Sequence, residues 1–312
     1  MTEEPRETLM DESQPVDAGA ALPFPYNQQT FCRYEPIEKQ IEEARVLIVD
    51  SLLRTEDDLS DLARSDWGSA AAVELKRERR IAAMAIENIV TNVERLVKRP
   101  VTQITHLASV GVAAEQFKPD AIVISGTLRD FDYYNPAVIE TFTEFVRMTT
   151  IPVLAICGGH QLVGLSFGAN VMTLDRLEQH EQRENRPLEY QYRFVRITDP
   201  KDPIFRGINN PSSNLWQDYT KQASILRVWQ NHGLQLDSVP KGFSLLATSY
   251  LCRNQMMVKR LDGQLIYTVQ FHLEKSFEDW NKSRTRWEHQ NESRDGRIIF
   301  ENFLTLALSH HP

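Results

Sequence analysis

Three residues of this sequence carry side chains suited to nucleophilic chemistry, and they stand at the ends of apolar runs. Cys157 and His272 each follow such a run, and Glu274 lies two residues beyond His272. A thiol, an imidazole and a carboxylate are the parts of a nucleophilic triad, in which the ring moves protons and the acid orients the ring. The sequence therefore predicts a cysteine-based catalytic site made of these three residues.

The residues around Cys157 are small, as a tight turn from a strand into a helix requires. Ala155 precedes it, and Gly158 and Gly159 follow it directly. Such a turn places the sulfur at a helix N-terminus, where the helix dipole and a nearby imidazole favour the thiolate. It also leaves the backbone N–H of Gly158 free to face a developing oxyanion. The loop after Ser125 is expected to contribute a second donor.

The other two cysteines, Cys32 and Cys252, are expected to be small buried hydrophobes. None of the three cysteines stands in a Cys-x-x-Cys or Cys/His ligand spacing, so the sequence predicts neither a structural zinc ion nor another cofactor. Three scattered thiols in 312 residues are typical of a reducing compartment, and we expect the cytoplasm.

The composition is that of a globular protein, with 41% apolar and 25% charged residues. A net charge of −8 and a pI near 5.6 argue against a nucleic-acid partner. No apolar run is long enough to span a membrane, and the acidic N-terminus does not look like a signal peptide.

Strands and helices alternate in the first half of the chain, which predicts an α/β fold with an open, mostly parallel sheet flanked by helices. After Gly168 the sequence becomes strand-rich. We predict an N-terminal arm over residues 1–44, disordered at its start, and one domain over residues 45–308. The strands and helices that support this prediction are Val46–Asp50, Ala121–Ser125, Val153–Ile156, Pro136–Met148 and residues 69–98.

An extended helical segment is predicted over residues 53–98, and Pro100 is expected to end its helix. The part before the helix is longer than an ordinary connection and rich in charge. Two interpretations remain open. The segment either extends over the sheet or forms a lid or a docking face for a partner.

The two motifs resemble those of the class I glutamine amidotransferase family. Members carry Gly-x-Cys-x-Gly-x-Gln and Gln-Phe-His-Pro-Glu, and this sequence has Ala155–Gln161 and Gln270–Glu274. Weaker matches follow in the family's order, so the resemblance spans residues 45–308. The weaker matches are Asp120–Gly126, Ser166–Ala169, Asp202–Gly207, Val228–Gly233, Pro240–Phe243 and Ala247–Ser249.

The resemblance implies a flavodoxin-like α/β domain and attack of Cys157 on a γ-glutamyl amide. By position, the family's oxyanion donors correspond to Gly126 or Thr127, together with Gly158. Gln161 and His232 correspond to residues near the bound amino acid. Thr127 stands where the family commonly has a second Gly, and threonine disfavours positive φ, so we expect this loop to differ from the family's.

Three hypotheses follow. The first is hydrolysis of glutamine to glutamate and ammonia, with the acceptor chemistry in a separate synthase subunit, because the sequence shows no ATP-binding loop. The second is hydrolysis of other γ-glutamyl peptides or conjugates, which the altered loop at Thr127 favours. The third is a non-catalytic binding or regulatory role, against which the intact set of thiol, imidazole and carboxylate argues.

Overall fold

The structure is a computed structural model that describes residues 38–208, 225–275 and 294–310. Most of the predicted arm, including its start, lies outside the described residues. From Ile41 onward the chain already belongs to the first strand of the sheet.

A nine-stranded open sheet forms the centre of the fold, in the order β2-β1-β3-β4-β11-β10-β9-β6-β7. The first five strands in this order pair in parallel, and the remaining strands extend the sheet by antiparallel pairing. A separate small sheet pairs β5 with β8. The strands are β1 (Ile41–Asp50), β2 (Val97–His106), β3 (Ala121–Ile124), β4 (Val153–Ile156), β5 (Val171–Thr173), β6 (Glu189–Ile197), β7 (Ile225–His232), β8 (Leu234–Leu236), β9 (Phe243–Thr248), β10 (Met256–Lys259) and β11 (Ile266–Val269).

Helices cover both faces of the sheet, as the alternation of elements predicts. Successive residues of β1 point to opposite faces, so Val46 packs in one hydrophobic core and Leu47 in the other. The first core contains α2 and α6, and the second contains α3, α4 and α5. The helices are α1 (Asp61–Trp67), α2 (Ala71–Leu96), α3 (Val110–Phe117), α4 (Pro136–Met148), α5 (Gly158–Ser166) and α6 (Arg294–Leu308).

The predicted fold class is confirmed, but the end of the long helical segment is not where Pro100 predicts it. Helix α2 ends at Leu96, and the chain passes directly into β2, which contains Pro100. Strand β2 lies at the edge of the sheet, where proline is tolerated because one side of the strand needs no ladder hydrogen bonds. The helix that packs over the sheet buries Ile86, Ile89 and Val93. No helix in the described parts of the chain is long and apolar enough to cross a membrane.

Candidate active site

Cys157 occupies a strained turn between β4 and α5. Its backbone has φ 51° and ψ −108°, and the residue is the N-cap of α5. A non-glycine residue in this region is costly and persists where the surroundings fix it. Here the N–H of Cys157 donates to the carbonyl of Val269 at 2.7 Å, which ties the turn to the end of β11. The tight turn predicted from the small neighbours of Cys157 is present.

The two glycines after Cys157 are required by close backbone approach. A Cβ on Gly158 would overlap the backbone nitrogen, Cβ and Oγ1 of Thr127. A Cβ on Gly159 would lie 2.8 Å from the carbonyl oxygen of Ser125 and 3.0 Å from Cγ2 of Ile124. Any side chain at these positions would push away the loop that follows β3, so the glycines bring that loop onto the nucleophile.

His272 and Glu274 meet in a turn beyond β11 rather than in the predicted continuous strand. The Nδ1 atom of His272 lies 2.6 Å from Oε1 of Glu274. The N–H of His272 donates to the carbonyl of Trp229 at 2.8 Å. The side-chain amide of Asn92, on α2, donates to the carbonyl of Glu274 at 2.7 Å. Neighbouring elements therefore hold the turn on both sides.

The charges of the three side chains support one another. Burial disfavours the charged ring of His272, but the charges of Glu274 and Cys157, and hydrogen bonds to both, raise its pKa to about 10. Burial would raise the pKa of Glu274, but the His272 charge and hydrogen bond outweigh it and lower that pKa. The ring is therefore protonated at neutral pH and can deliver a proton to a leaving group.

The loop after β3 comes close to the sulfur-bearing residue, as predicted. A Cβ on Gly126 would lie 3.4 Å from Cβ of Cys157, 3.6 Å from Cε1 of His272 and 3.8 Å from the nitrogen of Gly158. Thr127 is not among the non-glycine residues with positive φ. The expected conflict between threonine and positive φ therefore does not arise, because this loop follows a path that threonine can adopt.

Gln161 and His232 lie near the site but are engaged by the protein itself. Gln161 is buried, and its Nε2 donates to the carbonyl of Leu234 and to Oε1 of Gln270, each at 3.0 Å. The Nε2 of Gln270 in turn lies 3.7 Å from Sγ of Cys157. Gln270 was not selected as a site residue from the sequence, although it stands in the motif that contains His272. Its place in that motif was the available signal.

All eight predicted site residues lie along or next to one cavity of about 960 Å³. Helix α2 forms one wall of this cavity, which the sequence did not predict. Three of its side chains line the cavity: Ile81, Met84 and Ala85. The extended helical segment thus lies over the sheet and also borders the candidate site.

Ion pairs hold the loop after β3 from two directions. Arg129 contacts Glu78 at 2.8 Å and Glu74 at 2.5 Å, both on α2. Asp130, the next residue, contacts Arg183 at 2.9 Å and Arg186 at 2.8 Å. Burial raises the pKa of Glu78 against the opposing effect of Arg129. These charged residues were missed from the sequence because their partners are 51 or more positions away.

The motifs and the fold agree with a comparison against known families. The sequence profile described as "Glutamine amidotransferase class-I" matches residues 83–288, which is more than half of the chain and includes Cys157, His272 and Glu274. The chain belongs to the class I glutamine amidotransferase family.

Curated relatives with similar sequences are single subunits of glutamine-hydrolyzing GMP synthases. The protein of Methanothermobacter thermautotrophicus is 29% identical over 166 residues, covering 53% of this chain and 66% of the relative. That of Thermococcus kodakarensis is 32% identical over 158 residues, covering 50% of this chain and 67% of the relative. The chain therefore spans about two thirds of the length of these relatives.

A solved structure from Thermoplasma acidophilum, provisionally described as the same GMP synthase subunit, has a similar fold. Its TM-score is 0.52 at 21% identity, and the match covers 85% of this chain and 94% of that one. The likeness supports the α/β architecture.

Proposed function

We propose that this protein hydrolyses the side-chain amide of glutamine through a thioester on Cys157, releasing ammonia and glutamate. The observation that carries the proposal is the arrangement of Cys157, His272 and Glu274 along one cavity, with the ring 2.6 Å from the carboxylate. The names of the relatives include glutamine hydrolysis, which supports the same reaction.

In the first half of the reaction, the Cys157 thiolate attacks the amide carbon. The carbonyl oxygen becomes an oxyanion, for which the backbone N–H groups of Gly158 and of Gly126 or Thr127 are the proposed donors. No acceptor in the described parts of the chain takes a hydrogen bond from the amides of Thr127 or Gly158. His272 gives its proton to the amide nitrogen, the C–N bond breaks, and ammonia leaves.

In the second half, His272 takes a proton from water and the resulting hydroxide attacks the thioester carbon. The C–S bond breaks, glutamate leaves, and the sulfur returns as thiolate beside a protonated ring. Glu274 holds the ring orientation throughout. Gln161 acts through Gln270, which it places beside the sulfur, and His232 borders the space for the substrate.

The test is ammonia release from glutamine by the purified full-length chain and by its Cys157→Ala variant. We expect turnover by the unchanged protein and none above background by the variant. Equal ammonia release by both proteins would remove the proposal. Failure of both to release ammonia, together with Cys157 that stays unmodified by a glutamine-analogue electrophile, would favour a non-catalytic binding or regulatory role.

We further propose that the ammonia is used by a separate synthase subunit. The support is that the relatives are named as one subunit of a glutamine-hydrolyzing GMP synthase. If this holds, addition of the partner synthase raises glutamine turnover. A cytoplasmic location remains a prediction from the scattered cysteines.

A second candidate is hydrolysis of γ-glutamyl conjugates larger than glutamine. The cavity of about 960 Å³ is rimmed by apolar side chains that are partly exposed, Met84 at 55%, Leu128 at 40% and Leu188 at 58%. Such a rim can accommodate an apolar amine on the leaving side of the γ-carbonyl. Turnover of γ-glutamyl anilides without turnover of glutamine would select this candidate.

A further inference from the structure

A second group of potential ligands lies next to the candidate active site. Glu189 begins β6, His232 ends β7, and the two residues are directly opposite each other in the antiparallel pair. Cys252 comes from the loop between β9 and β10. One ligand atom of each side chain lies within 4.8 Å of the others, and exposures are 6%, 5% and 0%. We propose that Glu189, His232 and Cys252 bind a divalent transition-metal ion such as Zn²⁺.

The hydrogen bonding of His232 leaves one ring nitrogen available to a metal. Its Nδ1 lies 2.9 Å from the carbonyl oxygen of Leu234. A carbonyl can only accept, so Nδ1 carries the proton. The other nitrogen, Nε2, is buried and has no hydrogen-bond partner, although it lies 3.0 Å from Oε2 of Glu189. In a neutral ring, two lone pairs therefore face each other across this gap, an arrangement that a bound cation stabilises.

The neighbours of the three side chains resemble the outer layer of a metal site. Ligating histidines commonly donate their other N–H to a backbone carbonyl, and ligating carboxylates are themselves hydrogen-bonded. His232 meets the first condition through Leu234. Glu189 meets the second, because Ser249 donates to Oε1 at 2.9 Å and Gln255 donates to Oε2 at 2.7 Å. The ligand atoms are thus held in position before any ion arrives.

The donor atoms select the kind of metal. One sulfur, one imidazole nitrogen and one carboxylate oxygen fit Zn²⁺, whereas Mg²⁺ and Ca²⁺ prefer oxygen alone. The thiol of Cys252 lies 3.4 Å from the carbonyl oxygen of Asn254, to which it donates. On metal binding this thiol proton is released to solvent and the sulfur bonds the metal instead.

The proposed metal site adjoins the cavity that contains Cys157. His232 lines that cavity, and so do its neighbours Gly233 and Leu234. A metal bound to Nε2 therefore fixes the ring of His232 at the cavity wall. The spacing of the cysteines in the sequence did not predict this site, because its ligands come from three separate segments.

The test uses the full-length Cys157→Ala variant, because the thiol and imidazole of the candidate active site can themselves bind metal. This variant is titrated with Co²⁺, whose thiolate complexes show a charge-transfer band in the near ultraviolet, and then with Zn²⁺ as competitor. We expect one equivalent of Co²⁺ to produce the band and Zn²⁺ to remove it. Absence of the band would overturn the proposal.

Two further variants locate the metal. In the Cys157→Ala background, Cys252→Ser is expected to abolish the band and weaken Zn²⁺ binding at least about tenfold. Cys32→Ser is the matched control and is expected to retain both. A band that persists after Cys252→Ser would overturn the proposal. If circular dichroism shows that Cys252→Ser is unfolded, Glu189→Gln replaces it, with the same weakening expected and unchanged affinity contradicting the proposal. These measurements need no catalytic activity, so they are independent of the proposed function.

Discussion

The turn at Cys157 and the loop at Thr127 form opposite sides of the same site, but different interactions hold them in place. The turn is fixed by backbone geometry, with Cys157 at positive φ and hydrogen-bonded to Val269. The loop is held by side-chain ion pairs through Arg129 and Asp130 to partners far away in the sequence. The position of the nucleophile therefore depends on small residues close in sequence, and the position of the loop depends on α2 and distant arginines.

This contrast predicts which changes are most damaging. Changes in the turn remove the nucleophile or displace the backbone around it. Changes in the ion pairs loosen the loop but leave every proposed catalytic atom present. We therefore expect effects on turnover to fall from the first region to the second.

The largest effect is expected for Cys157→Ala, which removes the attacking sulfur. Glutamine turnover should fall by at least about 10⁴-fold, because loss of a nucleophile disables the whole triad. Steady-state ammonia release measures this directly. Cys32→Ala is the control for loss of a thiol and should keep turnover within a factor of two or so. A Cys157→Ala protein with half the original rate would contradict the account.

The next largest effect is expected for Gly158→Ala. The added methyl group would overlap Thr127, so the loop must move away and the proposed oxyanion donors separate. Turnover should fall by about 10²–10³-fold. Gly111→Ala is the matched control, since its methyl group would meet only Cδ2 of Phe145, at 3.7 Å. Similar rates in the two variants would show that the approach of Thr127 is not needed.

A smaller loss is expected for Glu274→Gln, which removes the charge that helps to keep His272 protonated. The pKa of His272, raised to about 10 in the folded protein, should fall. Because the protonated ring is the form present below that pKa, the alkaline limb of kcat/KM should move to lower pH, with turnover reduced by about 10²-fold. Measurement of kcat/KM against pH checks the shift, and an unmoved alkaline limb would contradict it.

The same raised pKa has a consequence for stability. The contribution of protonated His272 is present in full below the unfolded value near 6.5 and is lost as pH rises through about 10. Thermal unfolding should therefore show a larger loss of Tm between pH 7 and 10 in the unchanged protein than in Glu274→Gln. Parallel Tm curves for the two proteins would oppose this assignment.

The smallest effect is expected for Glu78→Gln, which weakens the link between α2 and Arg129. Glu74 still pairs with Arg129 at 2.5 Å, so the loop should loosen rather than detach, and kcat should fall about tenfold with little change in KM. Glu87→Gln, an exposed change on the same helix, should leave kcat unchanged. Equal kcat values in both variants would show that α2 does not position the loop.

The same contrast explains what the sequence could reveal. Strong local patterns, such as the apolar run before Cys157 and the Pro at the start of α4, placed elements within a few residues. Pro100 misled because its effect depends on whether the strand is at a sheet edge, which is decided by tertiary pairing. The link from Arg129 to Glu78 and the group at Glu189 could not be predicted, since they join distant segments without a local pattern.

The central claim is that Cys157 is an activated nucleophile beside His272 within a site shaped for a γ-glutamyl group. The most direct test is incubation of the purified protein with an electrophilic ketone analogue of glutamine, followed by peptide mass spectrometry. The account predicts one modification, on Cys157, that excess glutamine prevents and that leaves Cys32 and Cys252 unmodified. Cys157 that remains unmodified while another cysteine reacts, or labelling that glutamine does not slow, would contradict it.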